Sequence, residues 1–219
     1  QPRYCFLAAA RVGGILANIK NPAQFLDENL QIQRNVMLNA ARYGCEKLLF
    51  LGSSCIYPTN APQPIKESSL LTGPFEATNE GYAVAEVAGI KMGQYLKRSG
   101  QLNVVSAQPC NLFGERDYFS EQDGHLIPGL IARLHRAKCE NAPTFSIWGD
   151  GTARRELMYA GDLARALITV MEKYDDVEPI NTGSGDEWKV SEVASALATV
   201  VGYRGKLVFD ASHPVGVIR

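Results

Sequence analysis

Short apolar runs and longer amphipathic stretches alternate along the first half of the chain. The apolar runs have the length and composition of buried parallel strands, and they lie at residues 4–9, 47–51 and 102–107. Between them, apolar residues recur at helical spacing and predict helices over residues 21–43 and 82–99. Gly44 and Gly100 follow these stretches and end the helices. The alternation predicts a parallel α/β sheet with helices on both faces.

The pattern becomes looser after Asn111. Helices are predicted near residues 126–138 and 190–201 and from Gly161 onward, and short strands near residues 145–148, 156–158 and 207–209. Ligands of open α/β folds bind at the carboxyl edge of the sheet, so we expect the second half to form a smaller domain packed at that edge. A proline-rich stretch over residues 58–74 predicts an ordered loop beside a site rather than a peptide ligand.

Composition and charge narrow the class of protein. The chain has 219 residues, of which 46% are hydrophobic and 21% charged, and this excludes a disordered chain or a fibre. A formal net charge of −1 leaves no basic field for nucleic acid or an anionic membrane, and no apolar run reaches the ~18 residues of a membrane helix. The five cysteines are an odd number without a C-x-x-C pair, and there are only three histidines. We therefore expect reduced thiols, a cytoplasmic location and no metal site.

Two serines and a tyrosine are the first candidates for chemistry. Ser53 and Ser54 directly follow the strand at residues 47–51, so we expect their hydroxyls at the carboxyl edge of the sheet. Tyr82 opens the next helix, and its phenol can reach the same edge. In isolation, serines that cap a turn and a tyrosine that packs in the core would be the favoured interpretation.

The residues around these side chains match a known family. The segment over residues 51–58 reads Leu-Gly-Ser-Ser-Cys-Ile-Tyr-Pro, and residues 82–86 read Tyr-Ala-Val-Ala-Glu. Together they resemble the extended short-chain dehydrogenase/reductase superfamily, where a serine precedes a Tyr-x-x-x-Lys helix, and more narrowly the GDP-L-fucose synthase family. Further segments follow in the order of that family, at residues 7–15, 109–114, 124–130, 148–152, 155–156 and 209–212. The resemblance therefore covers nearly the whole chain.

The fold that this resemblance implies is α/β, with a doubly wound parallel Rossmann-like sheet and a smaller α/β substrate-binding domain. Residues 1–112 would form part of the NADP-binding domain, and residues 113–219 mainly the substrate-binding domain, with segments near 152–184 returning to the sheet. By this resemblance, the first strands of the sheet would precede Gln1, in about two βα units or ~60 residues. The chain also stops at Arg219 without an evident closing element. We therefore expect it to be part of a longer protein.

The activity that the resemblance implies is the NADP-dependent conversion of GDP-4-keto-6-deoxy-D-mannose to GDP-L-fucose. That conversion combines epimerisation at C3 and C5 with hydride reduction at C4. The family also implies a homodimer that pairs helices near residues 21–43 and 82–99. Apolar residues of these helices that suit such an interface are Met37, Val84, Ala88 and Met92. The alternative, in which the two helices simply cover the sheet, stays open.

The family's catalytic roles carry over to four positions of this chain. Ser53 matches the serine that hydrogen-bonds the 4-keto oxygen, and Tyr82 matches the acid that protonates it. Cys55 and His125 match the pair that epimerises C3 and C5. A ketone at C4 acidifies both neighbouring C–H bonds, and thiol and imidazole have ordinary pKa values close to neutrality. Considered alone, His125 would be interpreted as a capping or core histidine.

Other positions match the family's binding residues. The resemblance implies a set of cofactor-binding residues, and these are Ala8, Ala9, Ala10, Leu51, Tyr82, Glu86, Pro109, Asn111, Leu112 and His125. On the substrate side it implies Gly13, Ser53, Ser54, Asn111, Leu126, Arg133, Trp148 and Arg155. Arginine suits a diphosphate, because the guanidinium group is planar and permanently charged. Trp148 could equally belong to the core.

The chain departs from the family's pattern at three places. It has no G-x-x-G-x-x-G or G-x-G-x-x-G segment between a first strand and helix, where a pyrophosphate binds. Glu86 stands in place of the lysine of Tyr-x-x-x-Lys, which binds the nicotinamide ribose and lowers the pKa of the tyrosine. We expect severely impaired reductase activity unless Glu86 is protonated. Lys91 cannot replace the missing lysine, because it lies about half a turn round the helix from Tyr82. Residues 213–216 read His-Pro-Val-Gly where the family has Lys-Pro-Asp-Gly.

Two alternative functions stay open at this point. One is an enzyme of the same superfamily with different chemistry. A 4,6-dehydratase would need an acidic residue near Cys55, however, and a hexose 4-epimerase would not need the pair Cys55 and His125. The other alternative is a truncated or catalytically impaired relative that folds and binds, as an assembly subunit for example, without full catalysis.

Overall fold

The computed structural model describes residues 2–212, and these residues form nine strands and six α-helices. The strands are β1 (Tyr4–Leu7), β2 (Lys47–Leu51), β3 (Asn103–Pro109), β4 (Asn111–Phe113), β5 (Thr144–Trp148), β6 (Arg154–Tyr159), β7 (Ile180–Thr182), β8 (Glu187–Lys189) and β9 (Lys206–Asp210). The helices are α1 (Ile15–Lys20), α2 (Pro22–Arg42), α3 (Glu80–Arg98), α4 (Leu126–Cys139), α5 (Ala160–Lys173) and α6 (Val190–Val201).

A parallel sheet with the strand order β1-β2-β3-β7 organises the first half. Its first three strands confirm the prediction that the three apolar runs of the sequence form strands. Leu48 of β2 pairs with Cys5 of β1 on one side and with Val104 of β3 on the other. All four strands end at the same edge, so the loops that follow them meet there.

Side chains of the central strands alternate between two cores. On one face, Leu48 and Phe50 belong to a core with Met37 of α2 and Ile90 of α3. The core on the other face contains Leu49, Val105, Ala107, Leu163, Leu167, Val170 and Met171, and its last four members belong to α5. Helices therefore cover both faces of the sheet, which confirms the doubly wound arrangement expected from the sequence.

The second half adds two small sheets. β4 and β6 are parallel and β8 joins β6 antiparallel, whereas β5 and β9 form a separate parallel pair. Helices α4 and α6 pack on β5 around a third core that includes Leu134, Phe145, Ile147 and Ala194. Within this half, α5 and β7 lie against the central sheet. The boundaries of the two expected domains stay a prediction.

The proline-rich loop after β2 is ordered and is tied to β7. The hydroxyl of Tyr57 donates to Asn181 Oδ1 at 2.6 Å, and Asn181 Nδ2 donates to the carbonyl oxygen of Ile65 at 3.1 Å. Because Tyr57 is almost fully buried, these bonds fix the start of the loop against the end of the sheet.

Predicted and observed helices agree to within two residues for α2, α3, α4 and α6. Four elements were not predicted: α1, β4, β7 and β8. Each has six residues or fewer, which is too short for a periodic pattern to emerge. The departure at residues 213–216 and the chain ends Gln1 and Arg219 lie outside the described residues.

Candidate active site

The site is built on the turn that follows β2. Gly52 ends the strand against the side chain of Gln108, and a Cβ atom at position 52 would collide with the amide oxygen of that residue. Ser53 then adopts an extended conformation, and its Oγ accepts a hydrogen bond from the backbone N–H of Cys55 at 3.2 Å. Ser53 therefore does cap a turn, as the simpler interpretation expects. The same bond fixes the position of its hydroxyl at the carboxyl edge of the sheet.

Tyr82 lies in the first turn of α3, and its phenol is close enough to Ser53 for that serine to influence its pKa. Burial raises the pKa of Tyr82 well above its usual value, and the nearby Glu86 and Cys55 raise it further, while Ser53 lowers it. At neutral pH the phenol is therefore protonated. The structure thus brings together the serine and the tyrosine that the sequence singled out.

The thiol of Cys55 lies in the same cluster. Asn79 Nδ2 donates to Cys55 Sγ at 3.2 Å, and the nearby Ser53 also influences the pKa of the thiol. Burial is the largest influence and raises the pKa of Cys55, as does Glu86, whereas Ser53, Asn79 and the charge of Arg155 lower it. The thiol is therefore surrounded by three groups that stabilise its anion.

Asn79 is a site residue that the sequence reasoning missed. It precedes α3 in the N-cap position, where asparagine is common, yet its side chain makes no capping hydrogen bond. In the sequence, Asn79 is marked only by its position between the proline-rich loop and Tyr82. That position predicts a helix cap and not a contact with Cys55.

Glu86 lies one turn beyond Tyr82 on α3 and is 1% exposed. Its Oε1 accepts a hydrogen bond from Gln33 Nε2 of α2 at 3.3 Å. Burial raises the pKa of Glu86 to about 8, and the bond from Gln33 opposes that shift only in part. Lys91 is turned elsewhere, since its Nζ donates to Gln94 Oε1 at 3.1 Å. The carboxyl group is therefore mainly neutral at pH 7, which removes the repulsion expected from a carboxylate at this position.

The expected cofactor residues lie at the carboxyl ends of neighbouring strands. They follow β1 (Ala8, Ala9 and Ala10), end β2 (Leu51), end β3 (Pro109) and belong to β4 (Asn111 and Leu112). Ala8 and Ala9 are exposed, and Asn111 is exposed as well, with its Nδ2 donating to the carbonyl oxygen of Glu156 at 3.2 Å. This edge therefore presents small side chains to solvent beside Ser53.

His125 and Leu126 stand at the start of α4, with the imidazole exposed to solvent. The loop that precedes α4 contacts the segment that follows β1, because the N–H of Gly14 donates to the carbonyl oxygen of Asp123 at 3.1 Å. Gly13, next to Gly14, faces Phe25 of α2. Among residues 2–212, no hydrogen bond joins His125 to Cys55, so the structure places both near the edge without pairing them.

The two expected arginines have different surroundings. Arg133 lies between two aromatic rings, 5.0 Å from the centroid of Phe145 and 5.0 Å from that of Trp148, and donates to the carbonyl oxygen of Ser146. Arg155 of β6 acts electrostatically on Cys55, and burial lowers its own pKa. Arg155 therefore belongs to the Cys55 cluster, whereas Arg133 and Trp148 form a separate stacked pair.

No group of three His, Cys, Asp or Glu side chains in residues 2–212 is placed to hold a metal ion, and all five cysteines are free thiols. None of the helices in that range is both long enough and apolar enough to cross a bilayer.

The chain is similar to one protein family and to several known proteins. Residues 1–183 match the NAD dependent epimerase/dehydratase family. The GDP-L-fucose synthase of Sinorhizobium fredii is 48% identical over all of this chain and 70% of its own length. GDP-L-fucose synthase 1 of Arabidopsis thaliana is 46% identical over all of this chain and 68% of its own length. The chain thus spans about two thirds of the length of these relatives.

A solved structure agrees with these relatives. The GDP-L-fucose synthetase of Naegleria fowleri bound to NADP is 30% identical and superposes with a TM-score of 0.88. That match covers 100% of this chain and 67% of the solved chain.

Proposed function

The chain belongs to the NAD dependent epimerase/dehydratase family and, within it, to the GDP-L-fucose synthases, and from this premise we propose its reaction. It is the NADP-dependent conversion of GDP-4-keto-6-deoxy-D-mannose to GDP-L-fucose, by epimerisation at C3 and C5 and reduction at C4. The observation that carries the proposal is the cluster after β2, in which Asn79 donates to the thiol of Cys55, the Cys55 N–H donates to Ser53, and Ser53 influences the pKa of Tyr82. One bifunctional site needs an acid for reduction and a base for epimerisation, and this cluster supplies both.

The described residues fit the nicotinamide half of an NADP cofactor. Ala8 and Ala9 follow β1 beside the end of β2, which precedes Ser53, and their small, exposed side chains suit a flat ring at this edge. Glu86 fits beside a cofactor only as a neutral acid. When bound, NADPH supplies the hydride for the carbonyl carbon C4.

In the reduction, Ser53 and Tyr82 would act on the carbonyl oxygen. Ser53, held by its bond from the Cys55 N–H, is positioned to donate a hydrogen bond to that oxygen. Tyr82 is protonated at neutral pH because burial raises its pKa, so it can deliver a proton to the oxygen as negative charge develops there.

In the epimerisations, the thiolate of Cys55 would remove the proton next to the ketone. Hydrogen bonds from Asn79 and Ser53 and the charge of Arg155 favour the thiolate, although burial opposes it. His125, exposed at the start of α4, would return a proton from the opposite side of the sugar ring. That step requires the substrate to lie between the two side chains.

The stacked pair Arg133 and Trp148 supports binding of the nucleotide sugar. The guanidinium group is already oriented by two aromatic faces and by the carbonyl oxygen of Ser146. Its remaining N–H groups suit a diphosphate. We expect Gly13, Ser54, Asn111 and Leu126 to line the rest of the substrate site.

A homodimer in the cytoplasm is the assembly that we propose. Exposed apolar side chains of α2 and α3 support it, and these are Leu30, Leu38, Val84 and Tyr95. A shallow groove along α3, lined in part by Ala88 and Met92, continues this surface. Met37 does not belong to it: the sequence suggested Met37 for the interface, but the residue is fully buried against the sheet.

The experiment is product analysis with the protein in its full natural length. Incubation with GDP-4-keto-6-deoxy-D-mannose and NADPH should yield GDP-L-fucose with one NADPH oxidised per product, and Tyr82→Phe should lose at least 100-fold in that rate, the lower end of what a general acid contributes. Absence of product with the unchanged protein and with Glu86→Lys would favour the catalytically impaired relative, which no comparison specifically supports.

A further inference from the structure

Two buried side chains between α2 and α3 carry unsatisfied hydrogen-bonding atoms. Glu86 is 1% exposed and Gln33 is 3% exposed. Gln33 Nε2 donates to Glu86 Oε1, but Glu86 Oε2 and Gln33 Oε1 are buried and have no partner among the described residues. Buried polar atoms are rarely left unpaired, because each one loses its bonds to water.

Both unpaired atoms are acceptors if Glu86 is ionised, and then neither can satisfy the other. A proton on Glu86 Oε2 changes this, because that oxygen becomes a donor and the amide oxygen of Gln33 is the acceptor on the same partner. The two groups then form a reciprocal acid–amide pair with two hydrogen bonds. We propose that Glu86 is held as a neutral acid by Gln33, and that this proton keeps the site around Tyr82 active, so that its loss switches the reductase off.

Within residues 2–212, no cation acts on the pKa of Glu86, which burial and the bond from Gln33 determine. The groups that face it are Gln33 from α2, Cys55 from the turn after β2 and Tyr82 one turn back on α3. None of them is a cation, and Lys91 is engaged by Gln94. An ionised Glu86 would therefore be a buried charge without a counter-charge, which is strongly unfavourable. Burial raises the pKa of this carboxyl group, which agrees with the neutral form.

The neutral pair acts through its neighbours rather than on the substrate, so Glu86 is a positioning residue. A negative charge at this place raises the pKa of Tyr82 and also that of Cys55. Tyr82 then becomes a weaker acid for the carbonyl oxygen, and less of Cys55 is thiolate. A carboxylate would also repel the phosphates of a bound dinucleotide. The inference rests on the proposed function and adds to it a dependence on one proton.

The test is a pH profile between pH 6 and 9.5 of the full-length protein and its variants Glu86→Gln, Glu80→Gln and Glu86→Lys. Above about pH 8, kcat/KM for NADPH oxidation should fall about tenfold per pH unit in the unchanged protein. In Glu86→Gln, which keeps the shape and cannot ionise, the fall above about pH 8 should be absent. Glu80→Gln is the matched control, because Glu80 is exposed on the same helix, and it should behave like the unchanged protein. The same fall in Glu86→Gln would overturn the inference.

Two further readouts do not depend on turnover. The dissociation constant for NADPH, measured by fluorescence, should rise above about pH 8 in the unchanged protein and not in Glu86→Gln. The melting temperature of Glu86→Gln should exceed that of the unchanged protein by a margin that grows from pH 5 to pH 8. A constant margin would contradict a buried proton. If no variant oxidises NADPH, including Glu86→Lys, the proposed function fails, and the melting temperatures still decide the inference.

Discussion

The amide of Asn79 donates to the thiol of Cys55 at 3.2 Å rather than capping α3. Since this bond lowers the pKa of Cys55, Asn79→Ala should leave less thiolate at neutral pH. We expect about a tenfold slower epimerisation, which corresponds to the loss of one hydrogen bond to a charged group of about 1.5 kcal/mol. Exchange of the C3 and C5 protons with solvent measures that rate.

The control for this variant is Asn39→Ala on the exposed surface of α2. Alkylation of Cys55 by iodoacetamide, followed by mass spectrometry of its peptide, gives a second measurement. Equal alkylation and exchange rates in Asn79→Ala and in the control would show that Asn79 only supports the turn.

Glu86 also makes the stability of the protein depend on pH. Its pKa in the folded protein, about 8, is higher than the ordinary 4.5 of the unfolded chain, so folding takes up a proton between these values. Stability contributed by this site is therefore fully present below pH 4.5 and is lost as the pH rises towards 8. At pH 7 the difference is on the order of 3 kcal/mol.

Glu86→Gln should remove this dependence. We expect similar stability of both proteins near pH 4.5 and a more stable variant at pH 7, as measured by urea unfolding at the two pH values. A variant that is equally or less stable at pH 7 would mean that the carboxyl group ionises freely in the folded state.

At the level of elements, Gly89 allows α2 and α3 to approach each other. A Cβ atom at this position would lie 2.7 Å from Cζ of Phe50 and 2.8 Å from Cδ of Gln33. Alanine is usually better than glycine in a helix by about 1 kcal/mol, but overpacking a core costs about 1–3 kcal/mol. Gly89→Ala should therefore destabilise the protein and displace Gln33.

Urea unfolding checks the loss of stability, with Val200→Ala as a control because Val200 is 83% exposed on α6. The displacement of Gln33 should also change the pH profile that Glu86 produces. An increase in stability with an unchanged pH profile would show that the helices can separate without affecting the acid–amide pair.

Sequence patterns predict the long elements well and the short ones poorly. Apolar runs and helical spacing gave β2 and α6 with the observed bounds, because both elements bury one continuous face. The strands β4, β7 and β8 have three residues each and depend on partners far along the chain. No local pattern records such pairings.

The candidate site could be predicted only in part for a similar reason. Ser53, Cys55 and Tyr82 were identified from motifs, and the structure brings them together. Asn79 and Gln33 were missed, because their roles depend on which way a side chain turns in the folded protein. The charge state of Glu86 was left open, since it depends on burial that the sequence does not show.

At the scale of the whole molecule, the open edge of the sheet collects contributions from both halves of the chain. The first half supplies the Ser53, Cys55 and Tyr82 cluster, and the second half brings Arg155 to the thiol. A reaction that combines base and acid chemistry on one sugar ring requires this convergence. The central claim is therefore that epimerisation and reduction take place at one cluster and can be separated by single substitutions.

Reaction in D₂O with unlabelled NADPH tests this claim most directly, with the full-length protein and its variants Tyr82→Phe and Cys55→Ser. The account predicts GDP-L-fucose with deuterium at C3 and C5 from the unchanged protein. Tyr82→Phe should still exchange both positions of the keto sugar but oxidise NADPH at least 100-fold more slowly, and Cys55→Ser should lose the exchange. Deuterium exchange that survives in Cys55→Ser, or reduction that survives in Tyr82→Phe, would contradict the account.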